Sequence, residues 1–110
     1  MRVALIAFGA LLACTAPAAH AQDPAGARRD ALVRMVRHDC GSCHGMHLTG
    51  GLGPALTPAA LEGKPVAAMA ATIYHGRPGT PMPGWRPMLT EAEADWIASQ
   101  LAVGFPELKR

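Results

Sequence analysis

Apolar residues along this chain gather in separate stretches, divided by breaks rich in glycine and proline, and their spacing changes from one stretch to the next. Between residues 25 and 39, Leu32, Met35 and Val36 recur at helical spacing, with Asp39 extending the series and arginines on the other faces. This predicts a first helix over 25–39. Residues 45–58 are rich in Gly, Thr and Pro and predict a turning loop from which Leu48, Leu52 and Leu56 point inward. A short helical turn is expected at Pro58–Leu61. Proline tolerates a first helical turn, so Pro65 is placed to start another helix that runs to His75 and stops at Gly76. The ten residues from Gly76 to Trp85 hold three prolines and three glycines, which excludes regular helix and central strand and leaves a stiff, shaped loop. Thr90 and Glu93 form a capping box ahead of Trp96, Ile97 and Leu101, so a terminal helix is expected up to Gly104, packed on the first. No alternating strand series and no repeat appears. The pattern therefore predicts an all-α domain of three to five helices.

The first stretch differs from the rest. Arg2 precedes an apolar run from Val3 to Ala13, and Ala19-His20-Ala21 supplies a small-residue end. That order predicts a signal peptide over residues 1–21 and a single exported domain over 22–110. A second reading makes Leu11-Leu12-Ala13-Cys14 a lipoprotein box, with Cys14 acylated. The run is too short for a permanent membrane span, and no later segment reaches the ~18 apolar residues one requires.

Composition makes the remaining domain look underfilled. With two Trp, one Tyr and two Phe in 110 residues, a core this small calls for another bulky apolar group. Ten basic side chains against eight acidic ones give no case for nucleic acid. Four arginines fall within residues 28–37 while Glu91, Glu93 and Asp95 gather near the other end, an arrangement that gives either a partner-orienting dipole or two solvated helix faces.

Once the leader and Cys14 are removed, only Cys40 and Cys43 remain, so no disulfide framework is expected despite export. They stand in Cys40-Gly41-Ser42-Cys43-His44. Two cysteines at this spacing can bond both vinyl-derived carbons of one haem edge, and the adjacent histidine can reach the iron. A Cys-x-x-Cys pair alone would also suit zinc or thiol redox chemistry. The adjoining His44 and the absence of a second pair select covalent haem c, a porphyrin that would also complete the core.

The sixth position on the iron needs a ligand from elsewhere. Met82 is the leading candidate because Pro81 and Pro83 stiffen its backbone, and a thioether opposite histidine raises the reduction potential, as suits a carrier. Met88, in a second proline-rich turn, is its rival, and His75 is a weaker one. Met35 and Met69 read as core fillers, Met46 lies too close to His44 to cross the ring, and His38 and His47 read as surface or supporting residues. The carbonyl of Pro54 is placed to accept the other imidazole N–H of His44, fixing the ring and increasing its basicity. Trp85 and Tyr74 either hydrogen-bond a haem propionate or pack.

Through Cys40–His44, Gly53-Pro54 and Pro81-Met82-Pro83, the chain resembles the class I c-type cytochromes, whose helices wrap one covalent haem with histidine and methionine on the iron. The strings Leu48–Pro58 and Gly76–Pro83 make it similar to the small periplasmic cytochromes encoded in denitrification clusters beside the haem c/haem d nitrite reductase. The resemblance implies a periplasmic, monomeric, non-catalytic electron carrier. Its partner would be that reductase, which it would supply with electrons or assist in maturation by helping to make or load haem d. Two other classes compete. One is a haem enzyme or gas- or peroxide-reactive site with a labile sixth ligand, for which no distal acid–base constellation is evident. The other is a thiol oxidoreductase with Cys40 and Cys43 free.

Overall fold

The computed structural model describes residues 23–110. The expected signal peptide, its cleavage point and Cys14 lie outside the described residues. Helix α1 spans Gly26–Met35, a π turn covers Val36–Cys40, and α2 follows at Gly41–His44; α3 is Pro58–Leu61, α4 Val66–His75 and α5 Glu91–Val103. The described residues contain no strand, and the fold is all-α.

The first helical run is longer than its pattern predicts. It continues through the Cys-x-x-Cys-His motif to His44, and the π turn accounts for the difference. The Gly41 amide reaches back five residues to the Val36 carbonyl, so one extra residue is accommodated and the apolar spacing shifts. Leu32 and Val36 are fully buried and Met35 packs beside them, whereas Asp39 lies outside the core.

Helix α5 meets α1 through side chains, with Trp96, Ile97 and Leu101 sharing one core with Leu32 and Val36. Its second contact was not evident in the pattern. Ala94 and Ala98 of α5 pack on Ala70 of α4, and such small side chains let the two backbones approach closely. Thr90 and Glu93 form the capping box, the Glu93 amide donating to Thr90 Oγ1 at 3.1 Å and the Thr90 amide donating to Glu93 Oε2 at 2.9 Å.

The arginines and acids face each other. Arg28 holds Glu93 with two bonds of 2.6 and 2.7 Å, Arg29 lies over the Trp96 ring at 5.7 Å, and Arg37 is buried against the C-terminal tail. Three of the four arginines thus tie α1 and its π turn to α5 and the tail, which argues against a simple dipole of free charge. No described helix is long and apolar enough to cross a membrane.

Candidate functional site

The loop after His44 is built to return onto the motif. Gly45 adopts φ 88°, and the amides of Gly50 and Gly53 donate to the carbonyls of His44 and Cys43, each at 2.8 Å. Leu48 sits in the left-handed region at φ 59°, where a side chain is disfavoured, yet it is 3% exposed, so burial offsets the backbone cost. Leu56 is half-buried against the same core. Leu52 corrects the expectation of a third inward leucine, because it is 95% exposed at the tip of the Gly50–Pro54 turn. The hydrogen bonds to Cys43 and His44 direct this turn's backbone, and not its leucine, toward the motif.

These bonds bring Pro54 to the histidine. Its carbonyl oxygen lies 2.6 Å from His44 Nδ1, which leaves Nε2 as the ring nitrogen available to a metal. Gly53 packs against the same ring, and a Cβ at that position would stand 2.9 Å from both Nδ1 and Cε1. The imidazole is therefore held on one edge by a hydrogen bond and hemmed in by bare backbone.

Cys40 and Cys43 are free thiols in the structure, one half-buried and the other exposed. Burial first, and then the neighbouring Asp39 carboxylate, push the Cys40 thiol up to about 11. A buried thiol that resists ionisation is a poor nucleophile, so Cys40 itself is ill suited to start thiol–disulfide exchange. Among the described residues no cluster of three or more His, Cys, Asp or Glu is placed to hold a metal ion by itself.

Met82 is half-buried in a loop closed at both ends. Gly76, at φ 73°, lets the loop fold onto itself, since a Cβ there would come within 2.6–2.8 Å of Gly84, Pro83 and Met82 backbone atoms. The Trp85 and Arg86 amides return to the Ile73 and Tyr74 carbonyls at 3.0 and 3.2 Å. Within the loop, the Met82 carbonyl accepts from the Arg77 amide at 3.1 Å, and its amide donates to Thr80 Oγ1 at 3.3 Å. Both sides of the Met82 peptide backbone are thus fixed.

The rival ligands are placed otherwise. Met88 is 54% exposed, and its carbonyl accepts from Arg28 at 3.1 Å. His75 is exposed, stands edge-on to Tyr74 at 4.9 Å, and lines a groove of about 220 Å³ between α4 and α5 with Glu91 and Asp95. His38, His47 and Met46 are all exposed. Trp85 packs on the main core and Tyr74 on the alanine contact of α4 and α5.

A porphyrin fits the chemistry of this surface. Cys40, Leu56, Met69, Ile73 and Trp85, drawn from the motif, the two loops and α4, form a half-buried apolar border to the core. Such a border suits a flat apolar group, with two thiols and an oriented imidazole on the same helical run.

Comparison with known proteins agrees. The family described as Cytochrome C oxidase, cbb3-type, subunit III matches residues 27–99. Cytochrome c55X of Paracoccus denitrificans is 54% identical over 91 residues, covering 83% of this chain and 88% of that protein. The solved structure of the c-type cytochrome NirC superposes with a TM-score of 0.72 at 51% identity, covering 74% of this chain and 95% of that one. A segment of the dihydro-heme d1 dehydrogenase of Pseudomonas aeruginosa is 36% identical over 101 residues, which is 92% of this chain and 19% of that protein.

Proposed function

This chain belongs to the c-type cytochromes, whose cofactor is covalent haem c with its iron, and from that premise we propose that it is a periplasmic single-electron carrier of denitrification. In this reading residues 1–21 are the export signal and residues 22–110 the mature, monomeric haem domain. Cys40 and Cys43 would form the thioether links, His44 would bind iron through Nε2 with Pro54 orienting its ring, and Met82 would be the second residue to hold the iron. Haem c supplies reversible one-electron chemistry at the iron.

The observation that carries the reading is the hold on Met82. With its backbone fixed by Arg77 and Thr80 inside a closed loop, Met82 presents its thioether from an anchored position on the chain. A ligand that stays in place through oxidation and reduction keeps reorganisation small, which favours electron transfer over a reactive, open iron. The prolines on both sides of Met82 and the hydrogen bonds that fix its loop support Met82 over Met88 and His75.

The physiological partner is proposed to be the haem c/haem d nitrite reductase, through electron supply or through maturation of its haem. The maturation role has a specific support: a domain like this chain forms part of a protein named for dehydrogenating dihydro-haem d1. Dehydrogenation releases electrons, and a one-electron carrier would take them in two steps.

An optical spectrum of protein made with the cytochrome c maturation machinery tests the ligand set. The weak sulfur-to-iron charge-transfer band of the oxidised protein is expected to vanish in Met82→Ala and to persist in Met88→Ala. Persistence in Met82→Ala, or tight carbon monoxide binding by the untreated reduced wild type, would overturn the carrier reading. Stopped-flow mixing of the reduced protein with purified nitrite reductase then tests the partner, where oxidation of the haem on mixing is the expected result and its absence excludes direct electron supply.

A further inference from the structure

Arg37 is 5% exposed, a rare position for a guanidinium, and it projects from the second residue of the π turn. Three consecutive tail residues accept its hydrogen bonds: the carbonyl of Phe105 at 2.7 Å, the carbonyl of Pro106 at 3.0 Å and the carboxylate of Glu107 at 3.1 Å. The Phe105 ring lies below its charge at 5.6 Å. Glu107 is 78% exposed, so the ion pair is screened and two neutral carbonyls do most of the holding. A buried charge held in this way stabilises no better than a well-packed apolar side chain of similar size, but it is far more directional.

The π turn is an element that benefits from such direction. Its i→i+5 bonding is less favourable than the α form, and removing the extra residue would restore an unbroken helix from α1 through α2. That change would rotate everything beyond the turn by about 100° relative to α1, the angle one residue subtends in an α-helix. Cys40, Cys43 and His44 all lie at or beyond the end of the turn. Val36 at its start is fully buried and Cys40 at its end packs on the core, so both ends have one compatible register.

We propose that Arg37 is a positioning residue: through it the C-terminal tail holds the π turn in place, and the π turn sets the register in which Cys40, Cys43 and His44 face the cofactor. The inference rests on the proposed roles of these three residues. It assigns the tail a function in the haem site.

The test uses the full haem-loaded chain as wild type, Arg37→Met and Arg37→Lys, with Thr90→Ala as a control for general destabilisation. Proton NMR of the oxidised protein reads the haem-methyl shifts, which follow the orientation of the axial imidazole, and amide hydrogen exchange is followed along the chain. In Arg37→Met the haem-methyl pattern is expected to change, and amides of residues 37–44 to exchange at least about tenfold faster, the order expected when charge-assisted hydrogen bonds are lost. Arg37→Lys should recover part of both effects, and Thr90→Ala should show neither. A folded Arg37→Met with the wild-type haem-methyl pattern and uniformly raised exchange overturns the proposal, reducing Arg37 to a stabilising residue. Should Arg37→Met not fold, Arg37→Gln removes the charge and the forked donors while keeping a polar side chain, and the same local changes are expected; a wild-type haem-methyl pattern and wild-type exchange there also overturn it. A wild-type protein without haem-shifted resonances would sink the site assignment instead, and the localisation of exchange to residues 37–44 would still decide the role of Arg37.

Discussion

Gly53 packs so tightly on the imidazole of His44 that a Cβ would stand 2.9 Å from Nδ1 and Cε1, while the next residue, Pro54, holds that Nδ1 at 2.6 Å. Packing and not backbone conformation demands glycine here, because Gly53 is not among the positive-φ residues. Gly53→Ala must displace the ring or the loop. It is expected to destabilise the haem-loaded protein by about 1–3 kcal/mol, the usual cost of overpacking, and to shift its haem-methyl resonances. Thermal unfolding and NMR of the variant check this, and an unchanged ring environment would count against the role given to Pro54.

The Thr80 hydroxyl donates to the Arg77 carbonyl at 2.7 Å and accepts from the Met82 amide. Thr80→Ala removes both bonds while leaving Met82 in place. Carbon monoxide binding to the reduced protein is expected to become roughly three- to tenfold faster, about the effect of 1 kcal/mol of lost loop restraint. A rate equal to wild type would show that the prolines and the backbone bonds hold the loop without the Thr80 hydroxyl.

Thr90 caps α5 through the Glu93 amide. Thr90→Ala should cost about 1 kcal/mol in urea unfolding, with the optical spectrum unchanged, since the cap sits away from the motif. Thr90→Asn should retain most of that stability.

The Arg28 guanidinium, more than the capping bonds of Thr90, holds the Glu93 carboxyl below the usual carboxylate range. A carboxylate with a depressed folded-state pKa contributes stability that is present above its unfolded value and is lost as pH falls through the folded value. The window therefore opens near pH ~4.3 and extends below it. With the Arg28 side chain 49% exposed, the contribution at pH 7 is about 1 kcal/mol or less. Urea midpoints measured from pH 7 to pH 3 should fall less steeply in Glu93→Gln than in wild type, and a parallel fall would show that other carboxylates govern acid unfolding.

Much of this protein is legible along the chain. Helical spacing, the Thr90–Glu93 box, Pro65 and Gly76 mark α3, α4 and α5 to within a residue or so, because caps and breakers act through bonds to near neighbours. The candidate site is likewise local in its covalent part: Cys40, Cys43 and His44 lie within five residues, and Met82 is marked by the prolines beside it.

Tertiary structure decided the rest. The π turn depends on Val36 and Cys40 both packing on one core while Arg37 is held by the tail, a requirement no window of local sequence contains. The outward Leu52 follows from amides of its loop being drawn to Cys43 and His44, and the alanine contact of α4 with α5 follows from two helices meeting far apart in sequence. The sequence by itself determined the candidate residues and the limits of α3, α4 and α5, since both rest on short-range bonding. Which way those residues face was settled by long-range packing, because a helix rotates about 100° per residue and only contacts from the far end of the chain fix its register.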